Sequence, residues 1–179
     1  MKRSEDMKFV GKIWIFPDDD INTDVIFPGK YTYEPLTPKQ MAEHAMEDYD
    51  PNFVKQVKED DIIVAGKNFG CGSSREQAVI CLAKAGVSCI IAKSFARIYY
   101  RNAINQALPL VISANCSDFV IDNKNNLKDE KISVDFDIGI IKVQDKEFQF
   151  PKLDNQALAI FKAGGLVEYT RKRLKEGVK

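Results

Sequence analysis

Ser73, Ser74 and Arg75 stand side by side in residues 66–78, GKNFGCGSSREQA, where three glycines fall within the first seven positions. Hydroxyls beside a guanidinium, on a backbone that glycine lets approach closely, suit an anionic ligand or a proton transfer. Three familiar glycine-loop chemistries fail on spacing. A dinucleotide fingerprint needs a third glycine where Arg75 stands, and an acid at the end of the next strand, where VSCIIA runs into Lys93. A Walker-type phosphate loop needs a closing Gly-Lys-Ser/Thr, which the stretch lacks. A hydrolase elbow, G-x-S-x-G, finds Gly72 before Ser74 but Glu76 in place of its second glycine, and around Ser73 it finds Cys71 and Arg75. The single histidine, His44, falls in a predicted helix and serves a triad only if the fold carries it to the serines.

The same residues also describe a helix start. Ser73-Ser74-Arg75-Glu76 fits a capping box with Ser73 as N-cap, and Ser74-Arg75-Glu76-Gln77 fits it one residue later. One cap suffices, so one serine is left beside exposed amide donors and the positive end of the helix dipole. An arginine fork next to that serine suits a carboxylate. A serine there serves as a base if the same donors stabilise its alkoxide. The residues alone lead to a small-carboxylate site at a helix N-terminus.

The elements around this loop alternate. FVGKIWIF (Phe9 to Phe16) reads as a first strand, and the turn formers of PDDDINTD end it. VIFPG is a short apolar piece. Thr37-Pro38 opens a capped helix, KQMAEHAMED, with Pro38 at the first helical position. DIIVA (Asp61 to Ala65) is a buried strand, and the helix after the glycine loop stops at Gly86. VSCIIA is a second buried strand. SFARIYYRNAINQA is a helix with Ser94 as its expected cap, and LPLVIS is a third buried strand. This succession predicts parallel pairing with helices on the faces. From Ser117 to Pro151 the pattern changes: NKNN is a turn, and KISVDFD, GIIKV and EFQF read as antiparallel strands. NQALAIFKAGG is a helix stopped by glycines, and LVEYTRKRLKEG is a last amphipathic helix whose TRKRLK face is solvated. The fold class is α/β with a mixed parallel and antiparallel sheet.

A chain of 179 residues predicts a single domain over 1–179, with Met1 to Asp6 as a polar, disordered extension and Met7 as an alternative start. The 26 basic and 26 acidic residues balance, which argues against nucleic acid or an anionic membrane as partner. No apolar run approaches the roughly 20 residues of a membrane helix, and MKRSEDMKF lacks the apolar core of a signal peptide. A cytoplasmic protein with reduced thiols is expected. Cys71, Cys81, Cys89 and Cys116 form no CxxC pair, so no metal site is expected in this chain. Cys81 and Cys89 read as buried small hydrophobes, and Cys71 as a small, shape-filling residue. Asp18, Asp20 and Asn22 imitate the start of a calcium loop, but Thr23 replaces the glycine expected next and Gly29 the closing glutamate.

Three ordered motifs, DDDINTDVIFPGKY, GKNFGCGSSREQAV and IIAKSFARIYYRNAINQALPLV, resemble the small-subunit family of the 3-isopropylmalate dehydratases, within the aconitase superfamily. The likeness runs from about Lys8 to Val111, returns at AGGLVEYTRKRL, and is loose between Ser117 and Asn155. The resemblance implies a swivelling β/β/α domain that works with a separate large subunit, as a heterodimer or heterotetramer. That partner carries a [4Fe–4S] cluster on three cysteines with one iron open to substrate; this chain carries none. The implied reaction interconverts 2- and 3-isopropylmalate by dehydration and rehydration, in leucine biosynthesis. On the GSSRE motif, Ser73 matches the family's general base, Ser74 the serine that assists by hydrogen bonding, and Arg75 the arginine that grips a substrate carboxylate.

Asp20, Asn22, Thr23 and Asp24 match the family's loop near the active-site entrance; the plainer expectation is a turn in which Asp24 bonds local backbone. Substrate choice belongs to the PGKYTYE loop, with Tyr31, Thr32 and Tyr33. Homoaconitase-like relatives resemble Tyr-Leu-Arg-Thr there, with an arginine reading a distal carboxylate where Tyr33 stands. Lys30 is the loop's only cation, which favours an apolar group such as isopropyl. Yet Tyr-Thr-Tyr departs from the aliphatic residues expected for isopropylmalate, so 2,3-dimethylmalate, citraconate or methylmalate, and homoaconitate stay open. So does a non-catalytic carboxylate-binding module. In KSFARIYYRN, Phe95, Ile98 and Tyr99 are expected in the core, and Lys93, Arg97 and Arg101 in salt bridges or against the partner.

Overall fold

The apolar runs become strands β1 (Lys8–Phe16), β2 (Ile62–Ala65), β3 (Cys89–Ala92) and β4 (Leu110–Ile112) of the computed structural model, which describes residues 7–177. The extension expected over Met1 to Asp6 lies outside the described residues. These four strands are parallel, and β5 (Lys131–Asp135), β6 (Ile140–Val143) and β7 (Lys146–Gln149) form an antiparallel meander, as their short polar turns predict. The sheet order is β4-β3-β2-β1-β5-β6-β7. The long first strand joins the halves: Lys8–Lys12 pair antiparallel with β5, and Ile13–Phe16 pair parallel with β2.

All residues of β2 and β3 are buried, as strands covered on both faces require. Ile63, Ala65, Ile90 and Ala92 pack towards helices α4 and α5; Ile62, Val64, Cys89 and Ile91 pack towards α6 and α8. In chain order the helices are α1 (Thr23–Ile26), α2 (Pro38–Ala42), α3 (Phe53–Gln56), α4 (Gln77–Ala85), α5 (Arg97–Asn105), α6 (Ala114–Asp122), α7 (Lys124–Leu127), α8 (Asn155–Ala163) and α9 (Leu166–Lys175). The Thr37–Gln40 capping box, with Pro38 in the first turn, opens α2 as expected. Gly86 closes α4 in the left-handed conformation, and α9 buries none of its residues. Among the described residues no helix is long and apolar enough to cross a membrane.

Several local expectations fail for identifiable reasons. Helix α4 begins at Gln77 rather than at a serine, and no side chain caps it. Ser73 is held instead by Thr23, far away in the chain, and by Arg75, two residues on, and these bonds displace the local cap. Ser94 does not cap α5; its hydroxyl accepts the Asn68 amide at 2.9 Å, and Ala96 is the N-cap. The α2 helix stops at Ala42, leaving His44 in the turns beyond it. VIFPG is split between α1 and a 3-10 turn at Gly29–Tyr31. The NKNN turn is the single-turn helix α7, and α6, whose N-cap Ser113 makes no side-chain cap bond, precedes it. Ile98 is 51% exposed rather than in the core.

Asp61, just before β2, is a buried staple. Its carboxylate accepts the Lys12 amide at 3.1 Å, the Lys58 amide at 2.9 Å and the Trp14 indole N–H at 2.9 Å. Removing the acceptor orphans buried donors, each costing about 1–3 kcal/mol. Asp61→Ala is expected to lower stability by about 3 kcal/mol, read as a lower urea midpoint with an unchanged m-value.

Candidate active site

In open α/β sheets ligands bind in the crevice beyond the carboxyl ends of the strands. Here the loops following β1 and β2 are zipped together at that edge. The Asp20 amide donates to the Lys67 carbonyl (2.9 Å), Gly70 to Ile21 (2.8 Å) and Thr23 to Cys71 (2.8 Å). The loop after β3 joins through Phe69 N–H to the Ser94 carbonyl (3.1 Å) and Ala96 N–H to the Phe69 carbonyl (3.0 Å). Gly70 is needed for this closeness: its φ is +78°, and a Cβ there would stand 2.1 Å from Cγ of buried Tyr99. The glycine admits a packed ring as well as setting the loop's course.

Arg75 is the hub of the cluster, with its side chain only 13% exposed. Nε donates to Ser73 Oγ at 2.7 Å, Nη1 donates to Thr32 Oγ1 at 2.8 Å, and Nη2 pairs with Asp24. The guanidinium thus draws the glycine loop, the entrance loop and the 29–33 loop onto one planar fork. Ser73 Oγ also lies 3.1 Å from Thr23 Oγ1, which donates to the Ser73 carbonyl at 3.2 Å. The Ser73 hydroxyl is exposed and caps no helix. Ser74 is exposed beside it, its carbonyl accepting Asn102 Nδ2 at 3.3 Å.

The remaining residues singled out in the sequence divide. Asn22, not Asp24, makes the local turn bond: its Oδ1 accepts the Val25 amide at 2.9 Å as N-cap of α1. Asp24 reaches across to Arg75 instead, with its side chain 61% exposed. This corrects the expectation of a local backbone bond, because a partly buried guanidinium outcompetes nearby amides for a carboxylate. Asp20 braces the loops, accepting Asn68 Nδ2 at 2.7 Å. Tyr31 stacks on the His44 imidazole at 3.8 Å between centroids. Glu47 then ties His44 Nδ1 (2.7 Å) and Lys30 Nζ (2.6 Å) together. Burial pulls the Glu47 carboxyl up, but bonds from Lys30 and His44 outweigh it, and it sits below the usual carboxylate range. Tyr33 is 97% exposed and is not brought to the cluster.

Sequence reasoning passed over Asn102 and Gln106, which support the loop from α5 and just beyond it: Asn102 holds the Ser74 carbonyl, and Gln106 Nε2 donates to Glu76 at 2.8 Å. Their four-residue spacing on one helical face was a usable signal. His44 was weighed only as a triad base that the fold would have to carry to the serines; it packs on Tyr31 and Glu47 instead. Cys71 donates its thiol to the Asp20 carbonyl at 3.2 Å, and burial with the nearby Asp20 charge pushes that thiol up, away from the reactive thiolate form. Among the described residues no group of three or more His, Cys, Asp and Glu side chains is placed to hold a metal ion. Cys81, Cys89 and Cys116 are sealed in the core, so this chain's residues do not fit an iron–sulfur cluster.

The arrangement matches known proteins along most of its length. Residues 17–115 match the model of the aconitase C-terminal domain. The chain is 52% identical over 138 residues to the 3-isopropylmalate dehydratase small subunit of Syntrophus aciditrophicus, covering 77% of this chain and 79% of that protein. It is 42% identical over 173 residues to that of Heliobacterium modesticaldum, covering 96% and 99%. The crystal structure of 3-isopropylmalate dehydratase from Methanocaldococcus jannaschii superposes with a TM-score of 0.83 at 40% identity, covering 95% of this chain and 97% of that one. With the mixed sheet, the GSSRE loop and these relatives in agreement, the chain belongs to the 3-isopropylmalate dehydratase small-subunit family, built on the aconitase C-terminal domain.

Proposed function

We propose that this chain is the small, substrate-gripping subunit of a two-chain hydro-lyase that interconverts 2- and 3-isopropylmalate in leucine biosynthesis. The observation that carries the proposal is the three-way grip of Arg75 on Ser73, Thr32 and Asp24. A guanidinium that already holds a carboxylate is preorganised for another. In the proposed cycle a substrate carboxylate takes Nη2 as Asp24 swings into solvent. Ser73 Oγ then lies beside the carbon that bears the acidic proton. Ser73 accepts that proton, Arg75 spreads the charge of the enediolate-like intermediate, and Ser74 assists by hydrogen bonding. Tyr31, Thr32 and Tyr33 meet the substrate's distal group, with Tyr33 engaged once the partner closes the site.

The large subunit is the proposed partner, in a heterodimer or heterotetramer, in the cytoplasm, with the small chain acting as a single swivelling domain against it. The [4Fe–4S] cluster is assigned to that partner, where Lewis-acid help to the departing hydroxyl belongs. The 29–33 loop has no arginine for a second carboxylate, and its Lys30 is already paired with Glu47. That favours an apolar distal group: isopropyl first, the methyl groups of 2,3-dimethylmalate or citraconate next, and homoaconitate last.

The test is an anaerobic assay of the chain reconstituted with its cluster-bearing large subunit, against isopropylmalate, dimethylmalate, citraconate and homoaconitate. The chain alone is expected to be inactive, and the complex to be fastest with isopropylmalate. A complex that binds these acids without turning any over would make the chain a carboxylate-binding module instead.

A further inference from the structure

Thr23 is the first residue of α1 and is 1% exposed. Its amide donates to the Cys71 carbonyl at 2.8 Å, and its own carbonyl accepts the Phe27 amide at 3.0 Å. The backbone is pinned at both ends, which leaves the hydroxyl hydrogen as the free rotor. That hydrogen faces two acceptors, the Ser73 carbonyl at 3.2 Å and Ser73 Oγ at 3.1 Å. Gly72, at φ +90°, passes directly over it. A Cβ there would stand 3.4 Å from Thr23 Oγ1, at ordinary contact distance, so it is the positive φ that favours glycine here.

The other partner of Ser73 Oγ is Arg75 Nε at 2.7 Å, which only donates. Two hydrogen-bond patterns therefore fit the same heavy atoms. With Ser73 protonated, Ser73 donates to Thr23 Oγ1, and Thr23 donates to the Ser73 carbonyl. With Ser73 as alkoxide, the Thr23 hydrogen turns to Ser73 Oγ, and the oxyanion receives two donors, one of them cationic. We propose that Thr23 is a positioning residue for the base, a reversible hydroxyl that donates to the Ser73 alkoxide and accepts from the Ser73 hydroxyl. The inference rests on the reading of Ser73 as base. In the step it serves, the substrate C–H bond breaks and its proton forms the Ser73 O–H bond. The electron pair stays on the substrate as the enediolate, and Thr23 keeps its own proton while its bond to Ser73 reverses direction. A serine is a weak base, and each preorganised donor aimed at its oxyanion makes the alkoxide more accessible.

Three variants in the complex with the large subunit separate hydroxyl from methyl: Thr23→Val, Thr23→Ser and Thr23→Ala. Losing one donor to an oxyanion is expected to cost about 10²-fold in kcat. Val and Ala should both show that loss with KM changed by less than about threefold, and Ser should recover most of it. The acidic limb of the kcat/KM profile should move to higher pH in the Val variant, because an alkoxide with one donor fewer forms less readily. If Val keeps wild-type turnover while Ser and Ala lose it, the methyl alone matters and the inference is overturned. Ser73→Ala runs alongside. Retained turnover there overturns the base assignment and this inference with it. Loss there, with Val unaffected, overturns this inference alone.

Discussion

Ser73→Ala in the assembled complex is expected to lower kcat by about 10³-fold, within the range general-base catalysis contributes, with substrate affinity nearly unchanged. The side chain is exposed, and its bonds run to Arg75 and Thr23 rather than into the core. Alanine therefore leaves α4 and both apolar cores untouched, and no helix cap is lost because none is made there. Arg75 keeps Thr32 and Asp24, so the proposed carboxylate seat survives. The variant should melt with the parent and bind the large subunit as tightly. Steady-state kinetics beside a thermal melt check both halves: a loss in kcat without a loss of fold is the signature of a missing proton acceptor rather than a damaged scaffold.

Arg75→Lys is expected to cost about 10²-fold in kcat/KM, about 2.7 kcal/mol at 1.36 kcal/mol per decade, and Arg75→Ala about tenfold more. The planar fork bonds Ser73, Thr32 and Asp24 through three different nitrogens, and an ammonium at the end of a flexible stem cannot reproduce that geometry. The effect should divide between a raised KM, from the lost carboxylate seat, and a lowered kcat, from a Ser73 hydroxyl no longer held. That division separates Arg75 from Ser73, whose loss falls on kcat. Kinetics of the two variants measured side by side check it. A Lys variant with unchanged KM would remove Arg75 from substrate binding.

The parallel half of the fold was legible because its signals are local. Unbroken apolar runs such as IIVA and CIIA, a Thr-Pro helix start and a glycine stop at Gly86 are each encoded within a few residues. The α6 helix was not, because its N-cap, Ser113, was read as the end of the LPLVIS strand and ANCSDFVID buries only Cys116, Ser117 and Val120. The GSSRE loop was legible as hydroxyls gathered beside an arginine, but its helix start was misplaced. A capping box is worth about 1 kcal/mol, and the contacts of Ser73 with Thr23 and Arg75 outweigh it. The Thr23 contact joins residues 50 apart in the chain, and no local periodicity encodes it. For the same reason Asp24 was expected to bond its own turn and instead pairs with Arg75, and Thr32 was known as a loop residue before its bond to Arg75 was visible. Tyr33 shows the converse: its position in the motif suggested substrate contact, but in this chain its ring lies in solvent.

The central claim is that Ser73 takes the substrate proton while Arg75 holds the carboxylate. It is tested most directly by single-turnover formation of the unsaturated dicarboxylate intermediate, followed by its ultraviolet absorbance with complex in excess over isopropylmalate. The wild-type complex should show the absorbance rise within one turnover, and the Ser73→Ala complex should bind substrate and show none. A rise in the Ser73→Ala complex at the wild-type rate would contradict the account.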